Sequence, residues 1–149
     1  MREGDDVTLV AFAAMVPRAL AAAESLSKSG IAAEVIDPRT SSPLDLDTIL
    51  ESVEKTGRLV VIDESPPRCS LAADVAALVA DQGFAFLKGP IRTVTCPHTP
   101  VPFAPVLEDA YVPTSTRVEE AVRALFGASR ATQPTGAGTR PPRVGGLIE

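Results

Sequence analysis

Four short apolar runs, each separated from the next by a stretch of helical character, constrain this chain more than any other feature. Val7 to Phe12 (VTLVAF) is nearly continuous in apolar residues, as a strand covered on both faces must be. Ala33 to Asp37 (AEVID) reads as a second strand stopped by Pro38. Arg58 to Glu64 (RLVVIDE) is the clearest of all, and Ile91 to Thr95 is the last. Between the first two runs, Pro17 suits a first helical turn, Leu20, Ala23 and Leu26 recur at helical spacing, and Gly30 is placed to end the helix. A second helix is expected in LDLDTILESVEKTG. Asp45 is its cap, Leu46, Ile49, Leu50 and Val53 form its apolar face, and Gly57 closes it. Glu51 and Lys55, four apart, read as a surface pair. Ser70 opens a third helix with Leu71, Val75, Leu78 and Val79 inward, continuing towards Phe86. Thr116 and Glu119 form a T-x-x-E capping box ahead of Val118, Ala121, Val122 and Leu125. Strands alternating with helices at these lengths predict a three-layer α/β/α sandwich around a predominantly parallel sheet.

After Gly127 the character changes. The 22 residues ASRATQPTGAGTRPPRVGGLIE hold little to bury and read as a flexible tail or linker, so the expected domain is 1–127 and the tail 128–149. Without Arg130, Arg140, Arg143 and Glu149 the folded part carries 11 basic and 18 acidic residues, a net charge of −7. Such a body attracts basic partners and disfavours nucleic acid. Cys69 and Cys96 lack CxxC spacing and companion histidines, and read as two thiols in a reducing compartment. No run reaches the roughly 18–20 apolar residues of a membrane span, and MREGDDVTLV is wrong for a signal peptide. A cytoplasmic protein is expected.

The motifs of an α/β enzyme are missing. There is no GxGxxG, no GxxxxGK[ST], no GxSxG and no HExxH. What remains is carboxylates at strand ends, where doubly wound folds line their ligand crevice. Asp37, Asp63 and Glu64 could together hold Mg²⁺ and a phosphate, which would make the chain a small metal- and phosphate-handling enzyme. Alternatively they accept bonds from helix-start amides and from Arg39 or Arg68. The single histidine, His98, stands in TCPHTPVPFAPVLEDAYVP, Thr95 to Pro113, among five prolines. It has no acidic or basic neighbour in sequence, and Pro97 and Pro100 hold its backbone extended. The segment reads as a structural strap rather than a catalytic loop.

Three segments taken together resemble one family: GDDVTLVAFAAMVPRALAAAESL, EVIDPRTSSPLDLDTILESVEKTGRLVVIDE and TCPHTPVPFAPVLEDAYVP. In this order they are similar to the C-terminal domain of the beta subunit of thiamine-diphosphate-dependent dehydrogenases acting on pyruvate, branched-chain 2-oxoacids or acetoin. ESPPRCSLAADVAALVA looks most like the acetoin branch. The resemblance implies a transketolase C-terminal fold, a five-stranded mixed sheet with one antiparallel edge strand. It also implies that thiamine diphosphate and Mg²⁺ are held by parts of the complete enzyme not matched here: an N-terminal beta-subunit domain and the alpha subunit. No catalytic, cofactor-binding or metal residue is carried over, and His98 is not the family's active-site histidine. The implied role is assembly and docking, without catalysis by this chain alone. The implied partners are the alpha subunit, the N-terminal beta-subunit domain and the acyltransferase component, with a homodimer through exposed apolar surface. Candidate interface residues are Lys88, His98, Pro102, Phe103, Glu108, Asp109 and Tyr111. Lys88 in FAFLKGP stands where several relatives carry an acidic residue towards the acyltransferase, so docking there would need a different charge pattern.

Overall fold

The computed structural model of the chain describes residues 1–131. Strand β1 (Val7–Ala11) is buried along its whole length, and helix α1 (Met15–Ser27) follows it. Next come β2 (Ala33–Ile36), α2 (Leu46–Thr56) and β3 (Leu59–Ile62). Helix α3 (Leu71–Gln82) stops at Gly83, and a short 3₁₀ turn at Phe84–Phe86 takes the place of the expected continuation. Strand β4 (Arg92–Val94), helix α4 (Pro105–Tyr111) and helix α5 (Ser115–Ala131) complete the described chain. Helix α5 passes Gly127. Residues 132–149, the rest of the expected tail, lie outside the described residues.

The strand order is β2-β1-β3-β4, and every pairing of named strands is parallel. This order explains the layers. Parallel crossovers are right-handed, so the step from β1 out to β2 puts α1 on one face of the sheet. The next steps run the opposite way, through β3 to β4, and put α2 and α3 on the other face. Helix α5 returns to pack beside α1. Two apolar cores result. One joins Leu9, Ala11, Val35 and Ile62 to Met15, Leu26, Val118 and Leu125. The other joins Val10, Leu59 and Val61 to Ile49, Val53, Val75 and Val79. Alternate residues of β1 and β3 feed opposite cores, which is why those strands are apolar at every position but Thr8.

Four strands are described where five were expected, and the antiparallel edge is reduced to one residue. Arg2 pairs with Val35 through two backbone hydrogen bonds, Arg2 N–H to the Val35 carbonyl (3.3 Å) and Val35 N–H to the Arg2 carbonyl (2.9 Å). The pairing stops there because the chain then crosses the start of β2 to reach β1. Gly4 makes that crossing so closely that an added Cβ would lie 2.4 Å from the Ala33 carbonyl carbon. The crossing is fastened at Asp6, whose N–H donates to the Ala32 carbonyl (2.9 Å) while its carboxylate accepts from the Ala32 N–H (2.7 Å).

Local signals fixed both ends of α2 and the start of α3, whereas α1 ends at Ser27, three residues before the expected stop at Gly30. Asp45 and Ser70 cap α2 and α3, accepting from the N–H groups of Thr48 and Ala73. Gly57 ends α2 at φ 75°, where its N–H donates to the Val53 carbonyl (2.7 Å). The expected capping box at Thr116 is displaced. Thr114 is the cap, its hydroxyl accepting from the Arg117 N–H (3.3 Å), and Glu119 pairs with Arg123 one turn on (3.4 Å). The TST run offered several caps, and the register that buries Val118 and Val122 selected the first.

Candidate subunit interface

The carboxylates at the strand ends do not form a site. Asp37 follows β2 and Asp63 follows β3, and β1 lies between those strands, which puts them roughly 10 Å apart at the usual strand spacing. Each is already engaged. Asp63 is buried and accepts from the N–H groups of Ser65 (3.0 Å) and Ala72 (3.2 Å), the latter in the first turn of α3. Asp37 accepts from the backbone N–H of Arg39 (3.1 Å) and pairs with its guanidinium (3.0 Å). Glu64 is exposed, and Arg68 makes no pair with either aspartate. Among the described residues no group of three His, Cys, Asp or Glu could hold a metal ion. The donor set therefore does not fit Mg²⁺ with a phosphate or a diphosphate, because strand order separates groups that lie at equivalent strand ends.

The segment after β4 crosses the carboxyl end of the sheet and is tied down at both ends. At its start, the Thr95 carbonyl accepts from the Arg117 guanidinium of α5 (2.9 Å), and the Cys96 N–H donates to the Ser65 carbonyl (3.1 Å). At its end, the Pro113 carbonyl accepts from the Arg18 guanidinium of α1. Tyr111 closes the loop on itself. Its ring is buried and its hydroxyl lies within hydrogen-bond distance of the carbonyls of Pro97 (3.2 Å) and Thr99 (3.1 Å). Helix α4 lies inside this segment, with Pro105 in its first turn, where a missing N–H costs nothing.

Between those anchors the strap turns apolar side chains outward. Phe103 is 101% exposed, Val106 80%, Val101 67% and Leu107 59%. His98, Glu108 and Asp109 are exposed beside them, and Pro102 is half-buried. Tyr111 differs from the other candidates: it is an internal fastening and offers no surface to a partner. Lys88 lies elsewhere, with its aliphatic stem over Gly57, where an added Cβ would meet its Cδ at 2.5 Å. An apolar cleft of about 460 Å³ lies nearby, lined by Phe84, Leu87, Pro90 and Ile91. Arg18, Ser65 and Arg117, which hold the strap, carried no signal in the sequence, since each reaches a backbone group many positions away.

A second polar constellation sits at the opposite end of the sheet. Thr8, fully buried on β1, places its hydroxyl 2.7 Å from that of Ser52 and 2.8 Å from that of Thr56. Ser52 donates to the Glu34 carboxylate (2.6 Å), which also pairs with Lys55 (2.7 Å). Lys55 thus turns to β2 and not to Glu51, its neighbour in the helix. Donating a hydrogen bond to the Glu34 carboxylate raises the Lys55 pKa despite partial desolvation. Burial pushes the Cys96 thiol up as well, against the opposing charge of Arg117.

The described residues form a parallel, doubly wound α/β domain whose carboxyl end is crossed by a pinned strap of outward apolar residues. Residues 1–118 match the family model described as transketolase, C-terminal domain, and the chain belongs to that family. It is 58% identical over 126 residues to the acetoin:2,6-dichlorophenolindophenol oxidoreductase subunit beta of Bacillus subtilis, covering 85% of this chain and 37% of the relative. The subunit of the same name from Cupriavidus necator is 56% identical, covering 83% of this chain and 36% of the relative. The pyruvate dehydrogenase E1 component subunit beta of Bacillus subtilis is 43% identical, covering 84% and 38%. The chain thus spans little more than a third of the length of these relatives. Among solved structures, a split gene transketolase described as an inactive beta4 tetramer superposes with TM-score 0.74 at 31% identity, covering 87% of this chain and 41% of that one.

Proposed function

We propose that this chain is the assembly domain of a beta subunit in a thiamine-diphosphate-dependent dehydrogenase, of the acetoin type. Its role is to hold subunits together and leave the chemistry to other parts of the enzyme. The observation that carries this reading is the strap: four large apolar side chains point to solvent on a segment whose ends are bonded to the body. An outward apolar row of this kind, anchored at both ends, suits contact with another protein surface. Higher identity to the acetoin subunits (58% and 56%) than to the pyruvate dehydrogenase subunit (43%) supports the branch.

On this reading the partners are the alpha subunit and the N-terminal beta-subunit domain, with a second copy of the chain meeting the strap when those are absent. Thiamine diphosphate and Mg²⁺ belong to the complete enzyme, in the cytoplasm. An acyltransferase docking at Lys88 would meet a positive charge. No helix among the described residues is long and apolar enough to cross a membrane.

The test is calorimetry of the full chain with thiamine diphosphate and Mg²⁺, before and after adding the N-terminal beta-subunit domain and the alpha subunit of the Bacillus subtilis relative. The expected result is no heat from the chain alone, then binding and turnover after reconstitution. Tight binding by the chain alone overturns the reading.

A further inference from the structure

Where the strap presents an apolar ridge, the opposite end of the sheet presents an apolar hollow. Its walls are Ala80 near the end of α3, Phe84 and Leu87 around the 3₁₀ turn, and Pro90 and Ile91 ahead of β4. Phe84 is 74% exposed, and Leu87 and Ile91 are half-buried. One ring and two aliphatic side chains thus meet water in a single concavity of about 460 Å³, which has room for a few aliphatic side chains. Apolar surface gathered in this way marks a binding site more than scattered exposed residues do. The rim is charged and sided. Asp81 is exposed on α3 beside Ala80, whereas Lys88 and Arg92 are exposed on the stretch that leads into β4. Among the described residues none of these three takes part in an ion pair.

The later turns of α5 lie close to this hollow. The Lys88 N–H donates to the Gly57 carbonyl (2.8 Å), and the next residue, Arg58, holds its guanidinium 4.3 Å over the Phe126 ring of α5. A little over one turn past Phe126, α5 reaches Ala131. The sequence then continues TQPTGAGTRPPRVGGLIE. Its large apolar residues, Val144, Leu147 and Ile148, stand together between Arg143 and Glu149. The length of chain from Ala131 to Leu147 can span up to about 50 Å, so the hollow is within its reach.

We propose that the hollow is a docking site for this chain's own segment from Arg143 to Glu149, with Leu147 and Ile148 seated against Phe84, Leu87 and Ile91. Charge selects the occupant and its direction. A segment positive at Arg143 and negative at Glu149 meets Asp81 on one side, and Lys88 with Arg92 on the other. The strap offers no such match, because its outward apolar residues are followed by Glu108 and Asp109, which repel Glu149. Tethering holds the segment at an effective concentration in the millimolar range, so a contact of two aliphatic side chains suffices. The docked segment covers apolar surface that the described residues leave to water, and it excludes any other polypeptide from the hollow.

The test uses the full chain with labelled isoleucine, leucine and valine methyl groups, read by NMR. Cross-peaks are expected between the methyls of Leu147 or Ile148 and those of Leu87 and Ile91. In the double variant Leu147→Asp, Ile148→Asp those cross-peaks are lost and the Leu87 and Ile91 methyls shift. The Leu9 methyls, fully buried in the core, stay in place and report an intact fold. Phe84→Ser removes the ring from the wall and produces the same loss with the segment unaltered. Unmoved Leu87 and Ile91 methyls in the double variant overturn the proposal. So do cross-peaks that vanish when the native chain is diluted, which assign the hollow to a second copy. Cross-peaks from Leu147 to Val101 or Leu107 overturn it too, because they put the segment on the strap.

Discussion

The two ends of the sheet handle their polar and apolar groups in opposite ways. At the amino end, Thr8, Ser52, Thr56, Glu34 and Lys55 satisfy one another in a chain of short bonds, and Arg58 lies 4.3 Å over the Phe126 ring. Among the described residues no buried side-chain nitrogen or oxygen is left without a partner. At the carboxyl end, the strap is hydrogen-bonded to the body through its backbone, by Arg18, Arg117 and Ser65, while Val101, Phe103, Val106 and Leu107 face out. The first arrangement stabilises the domain by itself. The second holds a surface in place that the domain itself does not use. Changes at the amino end should therefore be felt in folding, and changes in the strap in association.

That division is testable, beginning with the largest effect. Leu9→Ala empties a fully buried site at the centre of the sheet and should cost about 2–5 kcal/mol in urea unfolding. Thr8→Val keeps shape but removes the hydroxyl between Ser52 and Thr56. It should cost about 1–3 kcal/mol, and a neutral result would mean the network is not holding α2 to β1. Phe103→Ser should change unfolding by less than about 0.5 kcal/mol, since the ring touches solvent. Sedimentation of the same variant should show weaker self-association; unchanged association would break the comparison at its functional side.

The two thiols sharpen it further. Cys69 is exposed and Cys96 buried with a raised pKa, so a disulfide-exchange reagent should titrate one thiol in the folded chain and the second only on unfolding. The smallest effect concerns pH. Lys55 gains a carboxylate partner on folding, so its folded pKa lies above the ordinary 10.5. Its contribution is complete below that value and is lost as pH rises through the raised one. Lys55→Met should flatten the alkaline limb of the stability profile, by little, because the ammonium is largely exposed.

Residue patterns made much of this legible. The caps Asp45 and Ser70 and the stop at Gly57 are where the helices begin and end, and the four apolar runs are the four strands. Helix α4 was not legible, because its seven residues bury only Tyr111 and so carry no apolar periodicity. The metal reading of Asp37 and Asp63 failed for a different reason: both do end strands, but nothing local says that β1 lies between those strands. The strap was legible as a strap from its prolines, whereas the arginines that hold it were not.

What the sequence determined alone, then, is the set of elements, their order and which of them are buried on both sides. These follow from periodicities of two and 3.6 residues and from capping groups, all of which act within a few positions. The tertiary structure decided the rest: which strands are neighbours, which carboxylates are kept apart and where Lys55 finds its partner. Those outcomes depend on backbone groups and side chains brought together from up to 95 positions apart, as Arg18 and Pro113 are. No local pattern records such a meeting, because the energy that selects it is shared among all the surfaces buried at once.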